Sequence, residues 1–299
     1  MSKKIAIINN KGGSAKTTTA VNLAGAYAKR FPSKRVLIVE ADGQGNATRS
    51  FNLDAGDYES TMYDIFMGNK TPAECVINAF QNIDLIPANM DMNFVEFDEM
   101  NLFAEKISDS VARVVERNLA ELQKMTSEQI ADALRSQLNI TDRYFNMLDG
   151  KFLTIENDYD LIIFDTPPEI KAVTSSILAI ADEVIIPFEP DTYSFDGILN
   201  ILKRITTIKK DMNPKLHIAG LLAVKVRANT KLHIDVINTI MKYCNKAKLY
   251  YFQTEIPNSI RFASSTSYAG LPATIAQKSN VFVQSYYRLL DELIEMGVI

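Results

Sequence analysis

The stretch Asn10-Lys11-Gly12-Gly13-Ser14-Ala15-Lys16-Thr17-Thr18 decides the fold, because it is a glycine-containing turn between two regular patterns. The apolar run 4–9 before it predicts a buried parallel strand, and the alanine-rich run 20–29 after it predicts a helix. A strand, a glycine-rich turn and Lys-Thr at the start of a helix are together typical of a phosphate-binding loop.

The chemistry of such a loop assigns a task to each residue type. Backbone N–H groups of the turn and the N-terminus of the helix attract anions. Lys16 is expected to reach the β- and γ-phosphates, and the Thr17 hydroxyl to ligate Mg²⁺. One position departs from the usual pattern, because Ala15 stands where glycine usually precedes the lysine. If the turn needs a positive φ there, a Cβ costs roughly 1 kcal/mol or more, which leaves weakened nucleotide binding as an alternative.

Composition sets the class of protein. The chain has 299 residues, of which 47 % are hydrophobic and 23 % charged, so we expect a single α/β domain over 1–299. No apolar stretch approaches the roughly 20 residues of a membrane span, and a cytoplasmic protein is expected. Cys75 and Cys244 lack motif spacing and are read as buried thiols. His217 and His233 are isolated, which argues against a zinc site.

Charge is distributed unevenly along the chain. The formal net charge is −4, but the segment 197–261 contains twelve Lys or Arg and three acidic residues, a net +9. The segment 84–109 has a net −6. This asymmetry indicates a basic surface suited to nucleic acid, with solvated helix faces as the alternative.

Two later strand patterns end in carboxylates. The run 35–42 contains Glu40 and Asp42 at its end, and the run 159–165 ends in Asp165 followed by Thr-Pro-Pro. The second has the form of a Walker B strand, whose carboxylate holds Mg²⁺ directly or through water. Open α/β sheets carry their chemistry at this end of the strands.

The remaining patterns alternate between strand and helix. This alternation predicts a P-loop NTPase-like α/β fold, a mostly parallel twisted sheet with helices on both faces, plus a helical insertion at about 90–156. The insertion is interpreted either as a scaffold or as a partner-binding surface. Helices are predicted at 61–66, 72–80, 169–181, 194–210, 232–246 and 281–296, and further strands at 83–87, 183–188, 218–226 and 249–256.

Lys11 has no obvious task toward its own nucleotide. A lysine before the glycine pair makes sense if it reaches across a two-fold axis to the phosphates of a partner, so that dimerisation depends on ATP. Asp42, near the γ-phosphate end, is suited to orienting or deprotonating the attacking water.

Six ordered motifs resemble the ParA/Soj family of DNA-partition ATPases, which have a deviant Walker A loop. The family's KGGxGKTT corresponds to 11–18, its DxDPQGNAT to 40–48 and its DxPP to 165–168. Its ADEVLIP and IPRNVR are similar to 181–187 and 256–261, and its SYGKP to 267–272. The resemblance covers about 1–88 and 157–280, nearly everything except the insertion.

The resemblance implies a cycle in which ATP–Mg²⁺ produces a homodimer that binds DNA non-specifically on the nucleoid. A ParB-type centromere-binding partner then stimulates slow ATP hydrolysis. By position, the resemblance implies Lys11, Lys16 and Asp42 as catalytic residues, and Thr17, Asp42 and Asp165 as metal ligands. It implies a nucleotide site of Lys11, Gly12, Gly13, Ser14, Ala15, Lys16, Thr17, Thr18, Pro257 and Asn258. DNA-binding candidates on the C-terminal helices are Lys203, Arg204, Lys209, Lys210, Lys242, Lys246 and Lys248.

Departures from the family pattern keep more than one function open. Besides Ala15, Glu40 replaces an aspartate with its charge kept, and Gly43 replaces a proline. A MinD-like membrane-cycling ATPase would need a basic amphipathic C-terminus, whereas the segment 288–296 has three acids and one base. The same core would also suit a non-hydrolysing nucleotide-gated binding module or a P-loop ligase.

Overall fold

A computed structural model describes residues 2–105 and 145–299, together with residues 108 and 126. In these ranges the chain forms one seven-stranded sheet in the order β3-β4-β2-β5-β1-β6-β7. All neighbouring strands are parallel except β3 and β4, which are antiparallel. The strands are β1 (Lys3–Ile7), β2 (Val36–Glu40), β3 (Ile77–Phe80), β4 (Ile83–Ile86), β5 (Leu161–Asp165), β6 (Glu183–Phe188) and β7 (His217–Ala223).

The helices connect these strands and cover both faces of the sheet. Short 3-10 turns lie at Ala55–Asp57, Met90–Phe94 and Lys151–Thr154, and residues 95–105 are helical. The other helices are α1 (Lys16–Arg30), α2 (Asn46–Arg49), α3 (Met62–Met67), α4 (Pro72–Cys75), α5 (Ala172–Ile180), α6 (Ser194–Asp211), α7 (Lys231–Ala247), α8 (Arg261–Ala269), α9 (Ala273–Ala276) and α10 (Gln284–Glu295).

Two apolar clusters fill the space between the sheet and its helices. One contains α1 and α10, and the other contains α5, α6 and α7. The central strands β2 and β5 are buried at every position, as expected of parallel strands covered on both faces. The predicted mostly parallel sheet with helices on both faces is therefore confirmed.

The prediction of a helix over 72–80 is wrong after its first turn. Helix α4 ends at Cys75, and Ile77–Phe80 forms β3, which pairs antiparallel with β4. The physical reason is the tight turn at 81–82, where Gln81 adopts a φ of 42° and returns the chain directly into β4. As a strand, the run 77–80 forms backbone hydrogen bonds with β4, which it could not form as a helix.

The prediction of a strand over 249–256 is also wrong. This segment runs beside β7 but forms only isolated bridges, Leu221 with Tyr251 and Val226 with Pro257. Between the two bridges, two backbone N–H groups donate to a side-chain carboxylate and not to β7. The amides of Gln253 and Thr254 donate to the Glu292 carboxylate at 2.7 and 3.1 Å, which satisfies them without a ladder.

The insertion predicted at about 90–156 is described only at its two ends. Most of it, including residues 109–125 and 127–144, lies outside the described residues. Cys75 and Cys244 are buried free thiols, as predicted. Among the helices that the structure describes, none is long and apolar enough to cross a membrane.

Candidate functional site

The loop 8–15, which the sequence predicts to bind phosphate, leaves the end of β1 and enters α1 through two left-handed residues. Gly13 has a φ of 74° and Ala15, at the N-cap of α1, a φ of 60°. Ala15 therefore adopts the conformation that glycine adopts without a steric penalty, at a cost of roughly 1–2 kcal/mol for a residue with a Cβ. The first helical turn still closes, because the amide of Thr19 donates to the Ala15 carbonyl at 2.8 Å.

Lys16 follows directly and is almost fully buried. Its Nζ points back along the loop and donates to the Lys11 carbonyl at 3.4 Å. Burial lowers the pKa of Lys16, and the charges of Asp165 and Asp42 oppose that shift. A buried ammonium beside two carboxylates, at the mouth of a helix, is suited to hold the phosphates of a nucleotide.

Asp165 lies at the end of β5, in register with Ile7 of β1 and Glu40 of β2. Its side chain is completely buried, and neither carboxylate oxygen has a hydrogen-bond partner in the described part of the chain. Burial raises the pKa of Asp165, and the charges of Glu40 and Asp42 raise it further. The nearby Thr17 hydroxyl and Lys16 lower it.

An orphaned, buried carboxylate fits a divalent cation. Mg²⁺ takes few protein ligands and completes its shell with water and phosphate oxygens, so one carboxylate and one hydroxyl suffice. Asp165 and Thr17 supply that donor set. Accordingly, the described residues contain no cluster of three or more His, Cys, Asp or Glu side chains that would form an all-protein metal cage.

Asp42 lies just beyond β2 at the edge of the same cavity. Its Oδ1 accepts from the amide of Gln44 at 3.0 Å, and its carbonyl accepts from Gly45 at 3.1 Å, so the turn after β2 fixes it. It lines the cavity together with Lys16. Its carboxylate is only partly buried, which leaves it accessible to a water molecule.

Glu40 is placed differently from the other acidic residues. It is fully buried and accepts from the Ala47 amide at 2.5 Å and from the Thr48 hydroxyl at 2.5 Å. The amides of Thr48 and Ala88 complete the set at 3.3 and 3.4 Å. Burial raises the pKa of Glu40 to about 7 although these donors oppose the shift. The side chain binds the start of α2 rather than the cavity.

A cavity of about 800 Å³ opens beside the loop and extends to the C-terminal part of the chain. One wall is the loop with α1, and another is α2, including Arg49. The segment 256–263 also lines the cavity, so Pro257 and Asn258 share it with the loop. Hydrogen bonds from Asn258 to Val226 and from Ile256 to Ala223 hold this segment against the end of β7.

Lys11 is exposed at the front of the loop and forms an ion pair with Asp191. Asp191 is itself fixed at the start of α6, because its Oδ1 accepts from the amide of Tyr193 and from the hydroxyl of Ser194. Burial raises the pKa of Asp191, but the hydrogen bonds from Lys11 and Ser194 outweigh it and leave the pKa below its usual value. Lys11 thus has a partner within its own chain.

Sequence reasoning missed two basic residues of the cavity, Lys225 and Arg49. Lys225 follows the end of β7 and contacts the phosphate loop. The available signal was the position of Lys225 near the end of the predicted strand 218–226, since the ends of parallel strands converge on one edge of the sheet. Arg49 follows the motif 40–48 directly, in a turn whose helix was not predicted.

The DNA-binding candidates differ in their surroundings. Arg204 is half-buried, donates to the Ser175 hydroxyl at 3.0 Å and lies 4.9 Å from the Phe145 ring centroid. The other six are exposed, and none forms an ion pair within the described ranges. They lie along α6 and α7 and at the ends of these helices: Lys203, Lys209, Lys210, Lys242, Lys246 and Lys248.

Comparison with known proteins supports one family. A family model described as an AAA domain matches residues 2–125 and 104–218. The sporulation initiation inhibitor protein Soj of Bacillus subtilis is 29 % identical, with 99 % of this chain and 100 % of that protein covered. The chromosome-partitioning ATPase Soj of Thermus thermophilus is also 29 % identical, with 97 % and 95 % covered.

Solved structures share the fold at lower identity. Apo McdA from Cyanthece superposes with a TM-score of 0.74 at 18 % identity, covering 98 % of this chain and 100 % of that one. Cobyrinic acid a,c-diamide synthase from Mycobacterium smegmatis, with bound ADP and magnesium, has a TM-score of 0.72 at 21 % identity, covering 99 % and 96 %. From the loop, the strand-end carboxylates and the full-length relatives together, the chain belongs to the ParA/Soj family of ATPases.

Proposed function

We propose that this chain is an ATP-dependent dimeric switch that binds DNA non-specifically and acts in plasmid or chromosome partition with a ParB-type partner. The observation that carries the proposal is the meeting of Lys16 with the orphaned Asp165 at the mouth of α1. Both groups are buried, and neither carboxylate oxygen of Asp165 has a hydrogen-bond partner among the described residues, so a phosphate–Mg²⁺ complex would compensate the burial of charge there. Soj relatives that match over the full length of the chain support the partition role.

Within this proposal the loop amides and Lys16 bind the β- and γ-phosphates. Thr17 and Asp165 hold Mg²⁺, which when bound supplies charge neutralisation between the phosphates. Thr18 lies beside them in the first turn of α1. The base and sugar occupy the far end of the cavity against Pro257 and Asn258.

Asp42 orients the attacking water. Its turn with Gln44 keeps the carboxylate at the cavity edge, where one oxygen remains available to accept a proton or a hydrogen bond. Removal of this carboxylate is expected to stop hydrolysis while leaving the phosphate and metal ligands intact. Asp42→Ala would then retain the ATP-bound form.

Lys11 acts in trans in this proposal. It exchanges Asp191 for the phosphates of the partner's nucleotide, so that a dimer forms only when ATP is present. An exposed ion pair contributes little, about 0–1 kcal/mol, which makes this exchange feasible. Lys11→Ala is expected to abolish the ATP-dependent dimer in size-exclusion chromatography with light scattering.

The test of the switch is fluorescence anisotropy of a random-sequence DNA duplex with MgATP, MgADP or no nucleotide. Binding is expected with MgATP alone, to weaken with salt because phosphate contacts release counterions, and to persist in Asp42→Ala. The absence of DNA binding in every nucleotide state would contradict the proposal. ATP turnover, measured with and without DNA and a ParB-type protein, tests the slow, stimulated hydrolysis.

The fold alone does not select this function, because the M. smegmatis synthase shares it. The basic segment 197–261 favours the DNA switch, since a ligase of small molecules has no need of exposed lysines along α6 and α7. The apolar face of α10, with Leu289 and Leu293, packs in the core beside α1, where it is not available as a membrane-binding face.

A further inference from the structure

Lys225 has a backbone conformation that is rare for a residue with a side chain. It lies just after β7 with a φ of 52°, in the left-handed region. A residue of this kind is retained only where its surroundings hold it, and such positions concentrate at functional sites. The backbone on either side is held by ladder-type bonds, from the Val224 amide to Phe188 and from the Val226 amide to Ile256.

The side chain of Lys225 reaches the phosphate loop. Its Nζ donates to the carbonyl of Gly13 at 2.6 Å and lies 3.5 Å from a carboxylate oxygen of Glu189. The ammonium therefore connects three segments, the loop after β1, the loop after β6 and the end of β7. These are neighbouring strands at the edge of the sheet that carries the cavity.

The contact with Gly13 has a consequence for anion binding. The peptide between Gly13 and Ser14 is planar and trans, so a fixed carbonyl direction also fixes the opposite direction of the Ser14 N–H. That N–H belongs to the set of loop donors that cradle a phosphate. The next residue, Ala15, is held at an unfavourable φ, so the loop needs an external contact to keep its shape.

We propose that Lys225 is a positioning residue of the nucleotide site, which binds the Gly13 carbonyl and so holds the phosphate loop in its anion-binding conformation. The inference rests on the proposed nucleotide site. Glu189 is the secondary partner. Its ion pair with Lys225 is partly exposed on both sides, and a pair of this kind contributes little by itself.

The experiment is titration calorimetry with MgADP on the full chain. Lys225→Met removes the amine and keeps the length of the side chain, and it is expected to weaken MgADP binding roughly tenfold, as the loss of a charge-assisted hydrogen bond predicts. Lys225→Arg is expected to recover part of the affinity. Glu189→Gln keeps the Gly13 contact and is expected to change affinity less than threefold.

Two control variants show whether a loss of affinity comes from the Lys225 amine, from the strained backbone at this position or from the loss of any positive charge. Lys231→Met makes the same substitution at an exposed position of α7 and is expected to bind as the parent does. Lys225→Gly removes the amine and the left-handed strain together, so a loss of affinity in both the Met and the Gly variants assigns the effect to the amine. Normal affinity in the Gly variant would overturn the proposal.

Hydrogen exchange gives a second readout that a general loss of stability would not mimic. In nucleotide-free Lys225→Met, the amides of the loop 13–16 are expected to exchange faster while those of β5 remain unchanged. Parent-like affinity and parent-like loop exchange in Lys225→Met would refute the role of Lys225. Failure of the parent chain to bind MgADP or MgATP would instead refute the nucleotide site itself.

Discussion

At the scale of single residues, the site contains two groups that reduce the stability of the nucleotide-free protein. Ala15 is held at a φ of 60°, and Asp165 is completely buried, which disfavours its charged form. Both lie where the phosphate and metal are proposed to bind. The proposed function therefore implies that these positions lower the stability of the free protein in favour of binding.

Ala15→Gly is expected to stabilise the protein. Glycine avoids the left-handed penalty of roughly 1–2 kcal/mol but adds entropy to the unfolded chain, so the net gain is about 0.5–1 kcal/mol in the free energy of unfolding. Urea denaturation measures it. Ala20→Gly, within the same helix, is the control and should destabilise by about 1 kcal/mol or more. A loss of stability in both variants would contradict the strain at Ala15.

Asp165→Asn should separate stability from function. The amide has nearly the shape of the carboxylate but no charge to desolvate, so the nucleotide-free protein is expected to gain about 1–2 kcal/mol in the free energy of unfolding. The same change removes the Mg²⁺ ligand. The rise in melting temperature that MgATP produces in the parent should therefore be lost in the variant.

A matched variant checks the specificity of this effect. Asp182→Asn changes a carboxylate that accepts from the amide of Lys4 at 2.8 Å on the side of the sheet away from the cavity. It is expected to lose stability and to keep the MgATP-induced shift. If Asp165→Asn behaved in the same way, Asp165 would be a structural acceptor rather than a ligand.

Much of this site could be predicted from residues alone, and the reason is geometric. The ends of parallel strands meet at one edge, so Asp42 and Asp165 are brought to the loop once the strands are recognised. The contact of Lys225 with Gly13 could not be predicted, because it depends on the path of the chain after β7. The partner of Lys11 depends on the start of α6 in the same way.

At the scale of elements, Glu40 joins β2 to the helix that follows it. Its carboxylate accepts from two amides and a hydroxyl at the start of α2, so it acts from a distance as the cap of that helix. The Ala88 amide attaches the chain after β4 to the same carboxylate. The position of Glu40 in the motif 40–48 was recognisable in the sequence, but the burial of its carboxylate was not.

Glu40→Ala is expected to be strongly destabilising. It leaves three amides and the Thr48 hydroxyl without their acceptor in a buried environment, and each unsatisfied group carries a penalty. We expect a loss of about 2–4 kcal/mol in the free energy of unfolding, measured by urea denaturation. Glu59→Ala removes an exposed glutamate on the surface and should change stability by less than about 0.5 kcal/mol.

The two wrong predictions of secondary structure have a common cause at this scale. The run 77–80 takes a strand partner because a tight turn returns the chain, and the run 249–256 loses its ladder because Glu292 captures two amides. Both outcomes depend on groups outside the run itself. Local patterns predict the long, buried elements better, because α1 forms its backbone hydrogen bonds within itself and the continuous apolar run of β5 is typical of a strand buried between two others.

At the scale of the whole molecule, the cavity and the exposed basic residues lie on different parts of the chain. The cavity proposed to bind nucleotide lies at the carboxyl ends of the parallel strands, whereas the exposed lysines belong to the outer sides of α6 and α7. The inner sides of these helices are apolar and pack in the same core. The last turns of both helices contain lysines, which also suit the negative ends of the helix dipoles.

The exposed lysines are expected to contribute to DNA binding in proportion to their phosphate contacts. Lys209→Ala/Lys210→Ala and Lys242→Ala/Lys246→Ala each remove two charges, and each pair should lower the slope of log affinity against log salt by up to about 2. Lys70→Ala/Lys278→Ala removes the same charge elsewhere and is the control.

Arg204→Ala should affect stability more than affinity for DNA, because the Arg204 guanidinium is held by Ser175. Equal salt slopes in all four variants and the parent would exclude α6 and α7 as the DNA-binding surface, while unchanged ATP turnover would show that the cavity still works without them.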